Sequence, residues 1–303
     1  MGNVTKVVFL GQSGPFSAPA LRGLLRAKSS GFDISAVVQG VRRPIQGAHH
    51  AWFRPARLWP QRIIEGQNLR DLAVGARIPT LVTADVNAPY IRDEIAKLEP
   101  DLLVCVGFHC LFSEALLKIP KLFALNVHPS SLPKWRGPSP IFWMLRAGEE
   151  ELGVTIHCLD AGEDSGDILW QGARSVPALS SGGDLYRLAV EAALEPLVNI
   201  IERPHLVERK PQGTREGPRA RRPKPEDLEV NPREWPCQTL ANFIAGASYF
   251  GPTVLKMYGD AYPVKAVQRM EVGEDLPGDW LEVDELLGVR CRDGTLWLVP
   301  GGG

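Results

Sequence analysis

The sequence predicts an α/β layer fold followed by a small β-rich domain. Three observations carry this reading. Through residues 1–203, short β-branched runs alternate with stretches of helical periodicity, as strands covered by helices do. Over residues 204–225, prolines interleaved with Arg and Lys replace that pattern, which reads as a linker because proline at this density disfavours a helix or a central strand. Over residues 226–303, short apolar runs return between Gly and Asp turns, the pattern of a small β-barrel. The length of 303 residues fits this division, since domains usually span roughly 100–200 residues.

In chain order, strands are expected at Lys6–Gly11, Asp33–Gln39, Thr80–Thr83, Leu102–Gly107, Ala124–His128, Gly153–Leu159 and Ile168–Gly172. A first helix over Ala18–Ala27 puts Leu21, Leu24 and Leu25 on one face, and a second over Ala88–Leu98 aligns Ile91, Ile95 and Leu98. A third follows Ser180–Asp184, whose polar side chains can cap its start, and Pro196 within it predicts a kink or a break. Residues 40–67 hold Pro44, Pro55, Pro60 and several Trp and Arg without a period, and read as a long surface loop with a short helix near its end. In the last segment, Leu240–Ala247 is helical, and strands are expected at Thr253–Tyr258, Tyr262–Val267, Asp279–Val283, Gly288–Arg292 and Thr295–Val299.

Composition narrows the function. A formal net charge of −1 gives no bulk attraction to nucleic acid or anionic membranes, although a local basic patch remains compatible with it. The five cysteines, Cys105, Cys110, Cys158, Cys237 and Cys291, form no CxxC pair and no zinc spacing, which predicts reduced thiols in a cytoplasmic protein without a metal. No apolar run has the length of a signal h-region or of a membrane span, roughly 20 residues. Gly11-Gln-Ser-Gly14 after the first strand is not G-x-G-x-x-G, Gln39 and Gly40 stand where a ribose-binding carboxylate would, and no G-K-[ST] occurs.

The informative residues lie in two stretches, Asn126-Val-His128-Pro-Ser130-Ser-Leu132-Pro133-Lys-Trp-Arg136-Gly137 and Gly153-Val-Thr155-Ile-His157-Cys-Leu-Asp160-Ala-Gly162-Glu163-Asp164-Ser-Gly166. Strand alternation puts Asn126 and His128 on one face at the carboxyl end of a strand, where open α/β sheets bind ligands. A carboxylate beside an imidazole can orient it and raise its pKa, and a neighbouring amide can bind an oxyanion. Taken singly, Asn126 reads as a turn former, His128 as a structural histidine and the acidic loop as solvated surface. Their joint order and spacing give the functional reading.

That order and spacing resemble the folate-dependent formyltransferase family, whose pattern N-x-H-x-S-L-L-P-x-x-x-G then G-x-T-x8-D-x-G is met by Asn126, His128, Ser130, Leu132, Pro133 and Gly137, then Gly153, Thr155, Asp164 and Gly166. Ser131 departs from the family's usual Leu. The resemblance covers residues 5–202 well, and implies a Rossmann-like catalytic domain with an OB-like barrel behind it. It also implies that Asn126 and His128 donate to the oxyanion of a tetrahedral intermediate while Asp164 holds His128 and helps take the amine proton. The formyl donor would be 10-formyltetrahydrofolate, in a cleft lined by Phe108, His109, Cys110, Leu111 and Phe112 with Leu117 behind, under a loop comprising Asp160, Gly162, Glu163 and Asp164. Plain core packing is the competing reading of Leu111, Phe112 and Leu117. A catalytically silent binding protein on this fold would lack Asn126, His128 or Asp164, and none is missing.

The layout further resembles family members that formylate initiator tRNA, which implies the amino group of methionyl-initiator tRNA as acceptor, with linker Arg and Lys meeting phosphates. The alternative acceptor is a small amine, such as a nucleotide-linked amino sugar or a natural-product precursor. It is prompted by Phe142-Trp143 after Gly137 and by the departure of Gly40–Gly47 from the basic loop of the tRNA enzymes.

Overall fold

The computed structural model describes residues 4–27, 31–43, 50–54, 68–213, 217–273, 276 and 278–301. The chain opens with β1 (Thr5–Gly11), α1 (Ser17–Arg26) and β2 (Phe32–Gly40). Val7 to Leu10 are wholly buried, as a parallel strand covered on both faces must be. Next come β3 (His50–Phe53), α2 (Leu69–Gly75), β4 (Thr80–Thr83), α3 (Pro89–Ala96), β5 (Leu102–Val106), α4 (Glu114–Leu117) and β6 (Phe123–His128). Local chemistry sets several of these starts: Asn68 and Ser113 accept from the backbone N–H groups of Asp71 and Leu116, and α3 begins on a proline, whose missing N–H has no helical role there. Then follow α5 (Pro140–Arg146), β7 (Glu151–Cys158), β8 (Ile168–Ser175) and α6 (Gly182–Glu202).

These strands form one eight-stranded sheet in the order β3-β4-β2-β1-β5-β6-β7-β8. β4, β2, β1, β5 and β6 run parallel to one another, while β3 and β7 are antiparallel to β4 and β6. The order reverses at β1, whose neighbours are β2 and β5, so the carboxyl ends of β1 and β5 flank the switch point at which open sheets bind ligands, with β6 next to them. Below one face, Val8, Leu10, Ala36, Val38, Leu103 and Cys105 alternate along their strands to meet Ile91 and Ile95 of α3.

The remaining elements are β9 (Glu229–Val230), α7 (Cys237–Ala247), β10 (Thr253–Met257), β11 (Asp260–Val272), β12 (Trp280–Val283), β13 (Leu286–Cys291) and β14 (Gly294–Pro300). They make a six-stranded sheet, β12-β13-β14-β11-β10-β9, antiparallel except at β9–β10. The small β domain expected from the sequence is therefore present. Packing divides the chain into one compact unit of residues 1–136, 153–173 and 186–218 and another of 137–152, 174–185 and 219–303. In the second unit, Phe142 is fully buried and meets Phe243 and Phe250 edge-on at 5.4 and 5.2 Å.

Two expectations need correction. Pro196 neither breaks nor ends its helix: α6 runs 21 residues through it. The buried set on both sides of it, Leu185, Ala189, Ala192, Ala193, Leu197, Ile200 and Ile201, holds the helix together across the missing hydrogen bond. Nor is the 40–67 stretch irregular throughout, because residues 50–53 pair as an edge strand with β4. Residues 44–49 and 55–67 of that stretch, including the short helix expected near its end, lie outside the described residues, as does Arg215 of the proline-rich stretch. Among the described residues, no helix is long and apolar enough to cross a membrane. All five cysteines are free.

Candidate active site

β6 and β7 build the site by their register. Antiparallel pairing sets Asn126 opposite His157 and His128 opposite Thr155, so strand alternation sends Asn126 and His128 from one strand toward the same face as His157 and Thr155 from the other. The loop after β7 then brings back Asp164, whose two carboxylate oxygens stand 3.6 Å from His128 Nδ1 and 3.6 Å from His157 Nε2. The three residues expected to act together do meet, and His157 completes the cluster. Asp164 has a left-handed backbone, φ 48°, and a side chain only 15% exposed.

Carbonyl acceptors fix the ring protons. A carbonyl oxygen can only accept, so His157 Nδ1–H donates to Cys158 O at 2.8 Å, which leaves Nε2 to present a lone pair. Asn126 Nδ2 donates to that lone pair at 3.2 Å, which orients the amide. By the same reasoning His128 Nε2–H donates to Trp135 O at 3.0 Å, leaving Nδ1 to face Asp164. Burial pushes the His128 pKa down; the Asp164 charge opposes this, and His157 adds to it.

Thr155 ties the surrounding loops to the strands. Its hydroxyl donates to Ser130 O at 2.7 Å and accepts from Leu132 N and Gln171 Nε2 at 3.1 and 2.9 Å. Two motif glycines are explained by close approach: a Cβ on Gly153 would strike Ser131, and one on Gly166 would strike the Cys158 carbonyl oxygen. Asp160 braces the loop internally, accepting from Gly162 N at 3.1 Å and from Ser165 Oγ at 2.9 Å. Gly162 and Glu163 are half-buried in the same loop, and the Glu163 charge favours a protonated His128.

The segment after β5 separates into two environments. Phe108 and His109 are half-buried and stacked, with centroids 5.0 Å apart, while Cys110 is exposed and Leu111 is 57% exposed. Phe112 belongs to the buried core, and Leu117 packs against the same cluster. No thiol near the cluster is poised as a nucleophile: burial raises the Cys105 pKa, helped by Asp164, and burial also raises Cys110 and Cys158.

His157 lies within the motif but escapes sequence reasoning, since an isolated histidine usually reads as structural; its place two residues beyond Thr155, repeating the Asn126–His128 spacing, is the available signal. Gln171, Arg136 and Gln212 carry no sequence signal of their own, because their partners are backbone carbonyls and loop side chains.

A carboxylate, two imidazoles and an oriented amide at the edge of an open α/β sheet can move a proton and offer a donor to an oxyanion, the chemistry that a transferase working by direct group transfer uses. Residues 59–201 match the formyl transferase family. The chain is 29% identical over 297 residues to a methionyl-tRNA formyltransferase of Syntrophus aciditrophicus, covering 97% of this chain and 89% of that one. It is 37% identical over 172 residues to the methionyl-tRNA formyltransferase of Geobacter sulfurreducens, covering 57% of this chain and 48% of that protein. The fold is shared with an N-formyltransferase of Helicobacter canadensis solved with folinic acid and dTDP-3-aminofucose, at a TM-score of 0.63 and 15% identity over 98% of this chain and 99% of that one.

Proposed function

We propose that the chain transfers the formyl group of 10-formyltetrahydrofolate to the amino group of methionyl-initiator tRNA, a reaction of the cytoplasm. The observation that carries the chemistry is the Asp164 carboxylate, 3.6 Å from each of two imidazoles of which one orients the Asn126 amide. The acceptor amine attacks the formyl carbon, and the carbonyl electrons move onto oxygen. Asn126, with one N–H given to His157, offers its other N–H to that oxyanion, an interaction worth about 2.7–4 kcal/mol in comparable sites. The ammonium proton passes to the acceptor pair formed by Asp164 and His128 Nδ1, and a protonated His128 then donates to the oxyanion or to the departing folate nitrogen. The bond from the formyl carbon to the folate nitrogen breaks as the carbonyl re-forms, that nitrogen takes the proton the Asp164–His128 pair received from the amine, and no covalent enzyme intermediate is required.

For the pterin, Phe108, His109, Cys110 and Leu111 supply an apolar, accessible lip, with Phe112 and Leu117 bracing it from the core, and the loop 160–164 closes over the bound ring. The acceptor reading is supported by the relatives named for methionyl-tRNA. It is supported also by the fate of Phe142-Trp143, the pair that favoured an amino sugar. Phe142 is fully buried, and Trp143 gives its N–H to Arg221 O while the Arg221 guanidinium lies 4.8 Å over its ring. Arg221 is in turn held by Asp227 at 2.6 and 2.7 Å, so phosphate contacts fall to other basic residues such as Lys210 and Arg222.

The test is incubation with 10-formyltetrahydrofolate and either methionyl-initiator tRNA or a panel of nucleotide-linked amino sugars. Formyl-methionyl-tRNA should form, and Asn126→Ala should lower kcat about 100- to 1000-fold with the fold intact. Formylation of the sugars alone would reverse the acceptor, and near-native turnover by Asn126→Ala would remove the mechanism.

A further inference from the structure

We propose that Gln212, in the stretch read as a linker, is a positioning residue that sets the Asp164 carboxylate through a clamp shared with Arg136; this rests on the catalytic reading of Asp164 above. Gln212 Nε2 donates to two carbonyl oxygens on either side of Ser165, Asp164 O at 3.0 Å and Gly166 O at 2.6 Å. Its Oε1 accepts from Arg136 Nη2 at 2.8 Å and from Arg136 Nε at 3.3 Å, and Arg136 Nε also reaches Asp164 O at 3.2 Å. Arg136 is only 8% exposed, and its position is set by the same motif segment that supplies the Trp135 carbonyl to His128. One network thus joins the backbone that carries Asp164 to the backbone that fixes the tautomer of His128.

The strap bearing Gln212 is pinned close by on both sides. Lys210 and Ile168 exchange backbone hydrogen bonds at 2.8 and 2.9 Å, and Trp135 N donates to Pro218 O at 3.2 Å. Asp164 gains from such restraint, because its backbone lies in the left-handed region, φ 48°, which aspartate adopts more readily than most residues but still at a cost. An amide is well matched to this position. Its NH2 group satisfies both carbonyls, and its oxygen satisfies a buried guanidinium, without adding a charge near the carboxylate.

The experiment compares Gln212→Ala and Gln212→Glu with the wild-type chain. Gln212→Ala should lower kcat up to about 100-fold, as misplacement of a reacting group by about 1 Å does, with KM for folate and for the acceptor within a few-fold. Gln212→Glu keeps the acceptor for Arg136 but turns a carboxylate oxygen toward two carbonyls, and should be no better than Ala. Recovery of wild-type kcat by Gln212→Glu would show that only the pairing with Arg136 matters and would overturn the clamp. Hydrogen exchange of residues 160–167 gives a second readout, and should speed up in both variants while α3 and β5 keep wild-type protection. Unchanged exchange in the loop, or loss of protection throughout, would also overturn the proposal. If the wild-type chain transfers no formyl group, the reading of the reaction fails alone, and the exchange comparison still decides whether Gln212 holds the loop.

Discussion

At the residue scale, His128 couples chemistry to stability. Its ring is 5% exposed, and burial is the main reason its folded pKa lies below the ordinary value of about 6.5. A histidine depressed in the folded state binds fewer protons than in the unfolded chain. Its contribution is therefore fully present above the ordinary value and is lost as the pH falls from there through the folded pKa. Urea unfolding should show stability declining below about pH 6.5, this one group accounting for at most about 1.4 kcal/mol per pH unit. His128→Gln should flatten that decline, and Asp164→Asn, which removes the charge opposing burial, should extend it to lower pH. A His128→Gln profile parallel to wild type would show that the ring is not the group responsible. The same residue illustrates what is legible: strand alternation is enough to put Asn126 and His128 together, whereas the Trp135 carbonyl that fixes the His128 tautomer depends on a loop path no pattern encodes.

At the element scale, strands are legible because their apolar runs are continuous and bounded by turns, and α1, α3 and α6 because their apolar positions repeat at helical spacing. The short helices α2, α4 and α5 are not, since four to seven residues hold too few turns to show a period. β3 is hidden because a four-residue edge strand needs only a partner's free edge, and its Trp52 and Phe53 look like loop residues among prolines. The reverse error comes at Pro196, where a local rule is overridden by packing. Proline in a helix interior costs about 3 kcal/mol relative to alanine, and the buried face of α6 outweighs it. Pro196→Ala should consequently stabilise the chain by up to about 3 kcal/mol in chemical denaturation, without changing kcat. Destabilisation would show instead that the surrounding packing has adapted to the shape proline imposes.

At the scale of the whole molecule, neither compact unit is continuous in sequence, because residues 137–152 and 174–185 belong with 219–303 although they interrupt the stretch 1–218 of the first unit. A division read along the sequence could not show this, since an apolar run such as Ile141-Phe142 says that a segment is covered but not which segment covers it. The consequence centres on Phe142, which motifs alone make a candidate for sugar or base stacking. With no exposed surface and its ring against Phe243 and Phe250, it should behave as a core residue. Phe142→Ala should lower the unfolding free energy by about 3–5 kcal/mol, and below its new melting temperature the variant should keep wild-type KM for the acceptor. If Phe142→Ala instead stays as stable as wild type and loses acceptor affinity, the ring meets substrate, and the balance shifts from tRNA back to an amino-sugar nucleotide.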